Sequence, residues 1–327
     1  DFCLSRGLGD VYKRQLLAPM TAGITRYLAQ SPAIRDRAVA LGLPPERVRV
    51  VGHTKFDQEV PSLTPEEGAA LRAGFGLAPE QPLFLAGSTH EGEEEIILEA
   101  WEIARRSVPK LALMLAPRHL SRVDAVRAVI ERRGLSAHAR SEVSFPGFST
   151  QHGGTEIRRG RDGVHRDRQD EQDNWIESAS PQNPVDPVHP CSNPSVSPCL
   201  RVHSETDVLL LDTMGELAKL YGLAAVAFVG GSLVPKGGHD LLQPLFHRVP
   251  TLYGPYMHNQ RTLVELASGE RAAWQVADAA SLAAALVCLL TDDEARAAMQ
   301  AAAARLLAAN RGASARCAAV VAELVQS

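Results

Sequence analysis

Short apolar runs closed by glycine or proline alternate along this chain with longer stretches of helical period. That is the pattern of a parallel sheet with helical crossovers. Leu83 to Ala86 runs into a helical stretch, and Leu111 to Ala116 is stopped by Pro117. Val226 to Val229 stops at Gly230-Gly231; a polar loop and a second pair, Gly237-Gly238, follow, and a helix is predicted from Asp240. A further apolar run, Val249 to Tyr253, completes a βαβ unit whose helix N-terminus points at the ligand crevice. A Cβ at the second pair would hold backbone N–H groups away from an anion, and Lys236 adds a positive charge beside them. The spacing is neither the phosphate loop G-x-x-x-x-G-K-[ST] nor the dinucleotide G-x-G-x-x-G, so a plain strand-to-helix turn is the competing reading. Ser31-Pro32 and Gly42 bound an early helix. After Tyr256, alanine-rich helices with one short strand are predicted, with Ser281 and Thr291 as N-caps.

Three other segments place reactive side chains at strand ends. In AGSTHEGEEE, Ser88 and Glu91 have capping-box spacing, and Glu91, Glu93, Glu94 and Glu95 suit the positive end of a helix dipole. His90 there reads either as a loop histidine or as a ligand to substrate. Those carboxylates would repel a phosphate, which places the anion at the Gly237-Gly238 helix instead. Pro117, Arg118 and His119 lie just past the carboxyl end of a buried strand, the edge where open α/β sheets bind ligands. The planar guanidinium of Arg118 suits a phosphate, although a surface ion pair explains it equally. Thr213-Met214-Gly215-Glu216 again has capping-box spacing, ahead of a helix with Leu217, Leu220 and Tyr221 on one face.

The wording and order of AGSTHEGEEEIILEA (86–100), LMLAPRHLSRVDAV (113–126) and LLLDTMGELAKLYGLAAVAFVGGSLVPKGGH (209–239) resemble the C-terminal half of the 3-deoxy-D-manno-octulosonic acid (Kdo) transferases. VVGHTKFD (50–57) is similar to the segment joining that family's two halves. The resemblance implies a Rossmann-like, doubly wound parallel α/β sheet, the donor-binding domain of a GT-B glycosyltransferase. It implies transfer of Kdo from CMP-Kdo to lipid A in lipopolysaccharide biosynthesis, by an inverting enzyme that needs neither metal nor cofactor. It implies nucleotide contacts from Pro117 and Arg118, from Met214, Gly215 and Glu216, and from Gly237, Gly238, Asp240, Leu241, Leu242 and Gln243. Ser88, His90, Ser232, Lys236 and His239 are further candidates beside them. Lys55 falls where the family carries a lysine that offsets charge on the departing CMP phosphate. The family reads Asn-Pro-Leu-Glu where this chain has Asp240-Leu241-Leu242-Gln243. Gln243 accepts ribose hydrogen bonds without charge, and Asp240 brings a negative charge near the phosphate, so weaker nucleotide affinity is expected. No residue here matches the family's general-base glutamate.

Composition narrows the remaining classes. At 327 residues, with 45% hydrophobic and 22% charged residues, the chain is typical of a globular protein. A net charge of −4 makes no electrostatic case for nucleic acid. Five scattered cysteines fit a reducing compartment and no disulfide framework. Residues 1–15 match nothing in the family; DVYKRQ (10–15) is what a transposon end used in sequencing libraries would encode, and reads as a sequence scar. Residues 16–58 read as a remnant of an N-terminal acceptor domain and 59–327 as the CMP-sugar-binding domain. The stretch 145–205 is too poor in large apolar residues to offset chain entropy and is expected to be a disordered insertion. The zinc reading of Cys191 and Cys199 fails on spacing. Membrane association at the cytoplasmic face of the inner membrane is expected of the intact enzyme, through the half not found here. Competing functions are another GT-B transferase or nucleotide-sugar epimerase, and a nucleotide-binding module without catalysis.

Overall fold

The computed structural model describes residues 21–142 and 207–326; the expected scar and the expected insertion lie outside the described residues. Strands β1 (Tyr27–Ala29) and β2 (Val48–Val50) pair in parallel as a small separate sheet. Helix α1 (Pro32–Ala40) connects them, and Ala29, Ala38, Leu43 and Val48 make their core. Ser31 caps α1 through its side chain and Pro32 starts it, as the sequence predicts. Helix α2 (Pro65–Gly74) then opens with a capping box between Thr64 and Glu67.

Among the described residues the main sheet has seven strands. In chain order β3 (Leu83–Thr89) is followed by α3 (Glu93–Ala104), β4 (Ala112–Pro117), α4 (Val123–Arg132) and β5 (Ser136–Ala139). Beyond the segment that is not described come β6 (Asp207–Leu210), α5 (Leu217–Leu220), β7 (Val226–Val229), α6 (Leu242–Phe246) and β8 (Thr251–Tyr253). Next are α7 (Arg261–Gly269), β9 (Ala273–Gln275), α8 (Ala279–Thr291), α9 (Asp293–Asn310) and α10 (Ala313–Gln326). The strand order is β5-β6-β4-β3-β7-β8-β9, and every pairing is parallel. This is the parallel α/β sheet expected from the apolar runs, doubly wound as the family resemblance implies. The chain leaves β3 toward β4 on one side and returns as β7 on the other, so the carboxyl ends of β3 and β7 flank the topological switch point.

Strand alternation divides the core into two faces. Phe84, Ala86, Val226, Phe228 and Leu252 pack with Ile97, Trp101, Val126, Leu282 and Leu286 from α3, α4 and α8. Val229 and Tyr253 pack on the opposite side with Leu242, Leu245, Leu263, Ala303 and Leu306 from α6, α7 and α9. Phe56 belongs to this second cluster, so the segment after β2 is anchored in the main core.

Several local expectations are corrected. Ser88 and Glu91 form no capping box: α3 starts at Glu93 behind the left-handed Gly92, and Ser88 itself has φ 56°. Thr213 and Glu216 form none either, because the Glu216 carboxylate binds Arg140 and Thr213 rather than a backbone N–H. Asp278, not Ser281, caps α8, with Ser281 as its capping-box partner, and Asp292 rather than Thr291 caps α9. The helix predicted from Asp240 begins at Leu242 and runs for five residues, with Asp240 accepting from the Leu242 N–H. In each case a competing hydrogen bond or turn takes the side chain that spacing alone assigned to the cap.

One buried carboxylate ties the switch point together. Glu93 is fully buried, and its oxygens accept from four backbone N–H groups: His90 at 2.9 Å, Gly231 at 2.7 Å, Ser232 at 2.9 Å and Leu233 at 2.8 Å. Burial pushes the carboxyl above its ordinary range, against the pull of those four donors. Beside it the equally buried Glu94 accepts from Thr89 Oγ1 at 2.9 Å and from both terminal nitrogens of Arg122 at 2.8 and 3.2 Å. The backbone passes so closely here that a Cβ on Gly230 would lie 2.3 Å from the Ser88 carbonyl oxygen.

Glu93→Gln exchanges one acceptor oxygen for an amide nitrogen that faces N–H donors. A loss of about 2–4 kcal/mol in stability is expected, the range for breaking a buried, charge-assisted network. An unchanged urea midpoint would show that the nest does not hold the fold. A second expectation concerns α10, whose first N–H groups, Gly312 and Ser314, donate to Asp57 at 2.6 Å each. The Ser314 and Gly312 N–H groups hold the Asp57 carboxyl below its ordinary value. Its contribution is present above the unfolded pKa and lost as pH falls through the folded one. Amide exchange in α10 should therefore accelerate selectively below about pH 4, and uniform acceleration across the fold would refute the link.

Candidate functional site

The carboxyl edge of the main sheet collects three segments: Ser88 to His90 after β3, Pro117 to Arg122 after β4, and Gly230 to Asp240 after β7. Backbone bonds lock them together, with Arg118 N–H donating to the Thr89 carbonyl at 3.0 Å and Gly230 N–H to the Gly87 carbonyl at 2.8 Å. Pro117 is the buried last residue of β4, and Arg118 and His119 emerge exposed beyond it. The guanidinium of Arg118 makes no hydrogen bond or ion pair among the described residues, whereas Arg122 is held by Glu94.

The glycine-rich loop differs from a plain helix-start cradle. The N–H groups of Gly238 and His239 donate inward, to Gly231 at 2.8 Å and Gly230 at 3.2 Å. Gly237 and Gly238 both have positive φ, and side chains of Asn259, His258 and Met257 fill the space a Cβ would need. Lys236 lies exposed at the loop's outer rim, its carbonyl accepting from Asn259 Nδ2 at 3.2 Å. Ser232 is fully buried, with its hydroxyl donating to the Val229 carbonyl and accepting from Gly254 N–H at 2.8 Å. Leu241 and Leu242 are core residues whose side chains face inward, and Gln243 is half-buried on α6.

Lys55 reaches this loop from the short helical turn Thr54–Asp57. Its ammonium lies 3.7 Å from the Asp240 carboxylate. The negative charge of Asp240, expected from the sequence to weaken nucleotide affinity, thus has a cation beside it. His53 sits next to this pair, accepting from Lys55 N–H at 3.2 Å; burial, then Lys55, hold its imidazole below its ordinary pKa.

The β6–α5 turn presents Met214, 67% exposed, and Gly215 at φ 83°. Glu216 is committed to Arg140 at 3.0 Å, a pair in which the arginine side chain is only 3% exposed. Ser141 N–H bonds Asp212 at 2.9 Å and completes that corner.

Sequence reasoning picked out Ser88, His90, Arg118, Lys236 and His239, and the structure brings His90, Arg118, Lys236 and His239 to one edge. That reasoning placed His119 at the same strand end without giving it a role, and there it meets His90 edge to face with ring centroids 5.9 Å apart. It did not assign Arg122, Arg140 or the role of Glu93. A histidine directly after Arg118 was the only visible signal for His119; the partners of the other three come from distant segments.

No family model matches the chain. It is 29% identical over 304 residues to the 3-deoxy-D-manno-octulosonic acid transferase of Haemophilus influenzae, a match covering 92% of this chain and 57% of that protein. The chain thus spans little more than half the length of that relative. Among solved structures it is similar to the C-terminal CMP-Kdo binding domain of WaaA from Acinetobacter baumannii. That match has 26% identity and a TM-score of 0.52, and covers 78% of this chain and 99% of that domain. A glycosyltransferase from Rickettsia africae shares the fold at 11% identity, with a TM-score of 0.52 over 95% of this chain and 65% of that one. The fold is a Rossmann-like, doubly wound parallel α/β sheet of the kind these structures share. The chain is thus similar in sequence to 3-deoxy-D-manno-octulosonic acid transferases over most of its length, and in fold to a domain matched nearly end to end.

Proposed function

We propose that this chain is the donor-binding part of a glycosyltransferase that moves Kdo from CMP-Kdo to lipid A. The observation that carries the reading is the carboxyl edge of the sheet, where the Arg118 guanidinium, without a partner among the described residues, and the cations Lys236 and Lys55 stand by a glycine-rich loop. The CMP phosphate is taken by the side chains of Arg118 and Lys236 at the rim of the Gly237-Gly238 loop, whose Gly238 and His239 N–H groups donate inward, and cytidine and ribose by the Met214–Gly215 turn and Gln243. Glu216 shapes this pocket through its bond to Arg140. Gln243 stands in for a charged acceptor and binds ribose less firmly.

The reaction proposed is a metal-independent displacement with inversion. A base removes the proton of a lipid A hydroxyl, that oxygen attacks the anomeric carbon, and the bond to CMP breaks. The negative charge then gathers on the departing phosphate, where Lys55 and Arg118 stabilise it. Lys55 divides its charge between Asp240 and the leaving group, and donor entry draws it toward the phosphate. In this reading the base and the acceptor site, with its contact to the inner membrane, belong to sequence that the longer relatives have and this chain does not span.

Calorimetry is expected to show CMP binding more tightly than UMP, UDP or AMP, and tighter UDP binding would reject the cytidine assignment. Arg118→Ala should weaken CMP by about 1–3 kcal/mol, the worth of a charge-assisted hydrogen bond; unchanged affinity would remove Arg118 from the site. Transfer to lipid A by this chain alone should be undetectable. A general base contributes about 10²–10⁴-fold, and positioning of the acceptor contributes more. Fusion to the N-terminal half of a family member should restore transfer, and robust activity without the fusion would refute the division of labour.

A further inference from the structure

His90 and His239 meet across the switch point, Nε2 to Nε2 at 2.7 Å. Their rings lie parallel with centroids 5.0 Å apart. One Nε2 must donate and the other accept, and two imidazolium rings cannot make this contact. Burial, then His119, Lys236, Arg122 and Arg118, hold His90 down to about 4, so His90 is neutral and is the acceptor of the pair when His239 donates. An imidazole that accepts at Nε2 carries its proton on Nδ1. The pair therefore presents His90 as a fixed Nδ1–H donor. Gly231, at φ 66°, leaves the necessary room, since a Cβ there would sit 3.0 Å from His239 Cδ2 and 3.3 Å from His90 Cδ2.

The charges around the pair are unbalanced. On the β3 side stand Glu91, Glu93 and Glu94; on the β4 side Arg118, His119 and Arg122; on the loop Lys236, His239 and Asp240. Glu93 is held by its nest, Glu94 by Arg122 and Asp240 by Lys55. Glu91 is exposed at the rim. The Arg118 guanidinium has no such partner among the described residues. This cluster is arranged to receive an anion.

We propose that His90, locked as an Nδ1–H donor by His239 and flanked by His119 and Arg118, is a second anion subsite that takes the carboxylate of the donor's sugar acid, apart from the nucleotide phosphate. The inference rests on the CMP-linked sugar-acid reading above. His239 acts here as a positioning residue, setting the tautomer of His90.

The test titrates the full chain with CMP and with CMP-Kdo. His239→Leu should weaken CMP-Kdo about tenfold or more, the equivalent of one charge-assisted hydrogen bond. It should leave CMP within about twofold, a few tenths of a kcal/mol. His239→Gln, whose Nε2–H can still reach His90, should recover most of the loss. Equal weakening of both ligands, or no weakening of CMP-Kdo, would overturn the subsite. Failure of the unmutated chain to bind CMP would overturn the nucleotide reading and the subsite with it. Independently of ligand, long-range nitrogen–proton NMR at neutral pH should show His90 bare at Nε2 and protonated at Nδ1. A protonated Nε2 would overturn the assignment.

Discussion

The carboxylate of Glu93, closed off from solvent and saturated by four backbone N–H groups, is the interaction on which the rest of the site depends. Glycine-rich turns at the carboxyl ends of parallel strands commonly offer their N–H groups to a ligand anion. Here the protein supplies the anion itself for the turn after β7. The first helix residue after β3 thereby grips the first turn after β7, across the two strands where the sheet changes direction. Neither segment could hold this shape alone, since Gly230 lies against the Ser88 backbone and Ser232 is bonded back to Val229 and Gly254.

The charge pattern of the open edge follows from that closure. Glu93 and Glu94 read in sequence as a negative face, yet both are buried and neutralised beneath the site. What remains at the surface is mainly cationic or imidazole: Arg118, His119, Lys236 and the His90–His239 pair. Asp240 would oppose an incoming phosphate, but Lys55 stands 3.7 Å from it. That ammonium comes from the segment carrying Phe56 into the second core cluster, so the early part of the chain contributes charge as well as packing.

The site was only partly legible because its residue types were visible and their partnerships were not. Arg118 and the Gly237-Gly238 loop announced themselves by position past apolar runs. Thr213 with Glu216 and Ser88 with Glu91 had ideal capping spacing, and both expectations failed. In the first pair, Arg140, 76 residues away, competes for the carboxylate. In the second, the left-handed Gly92 starts the helix one turn later. Spacing describes what a side chain can reach along its own segment and is silent on what reaches it from elsewhere.

Sequence by itself determined the architecture. Apolar runs of strand length, each closed by glycine or proline and separated by helical period, give a parallel sheet with helical crossovers, the wording of three segments resembles a doubly wound family, and such a sheet binds at its carboxyl edge. Those patterns are local and repeat along the chain, so they survive without coordinates. Tertiary structure alone decided which polar groups at that edge are spent on the fold and which stay open. Glu93 and Ser232 went to the backbone, Glu216 to Arg140, and His90 to His239 over 149 positions of sequence. Desolvation is the physical reason: a buried polar group must find a partner wherever the packing brings one, and packing pairs segments that the linear order keeps apart.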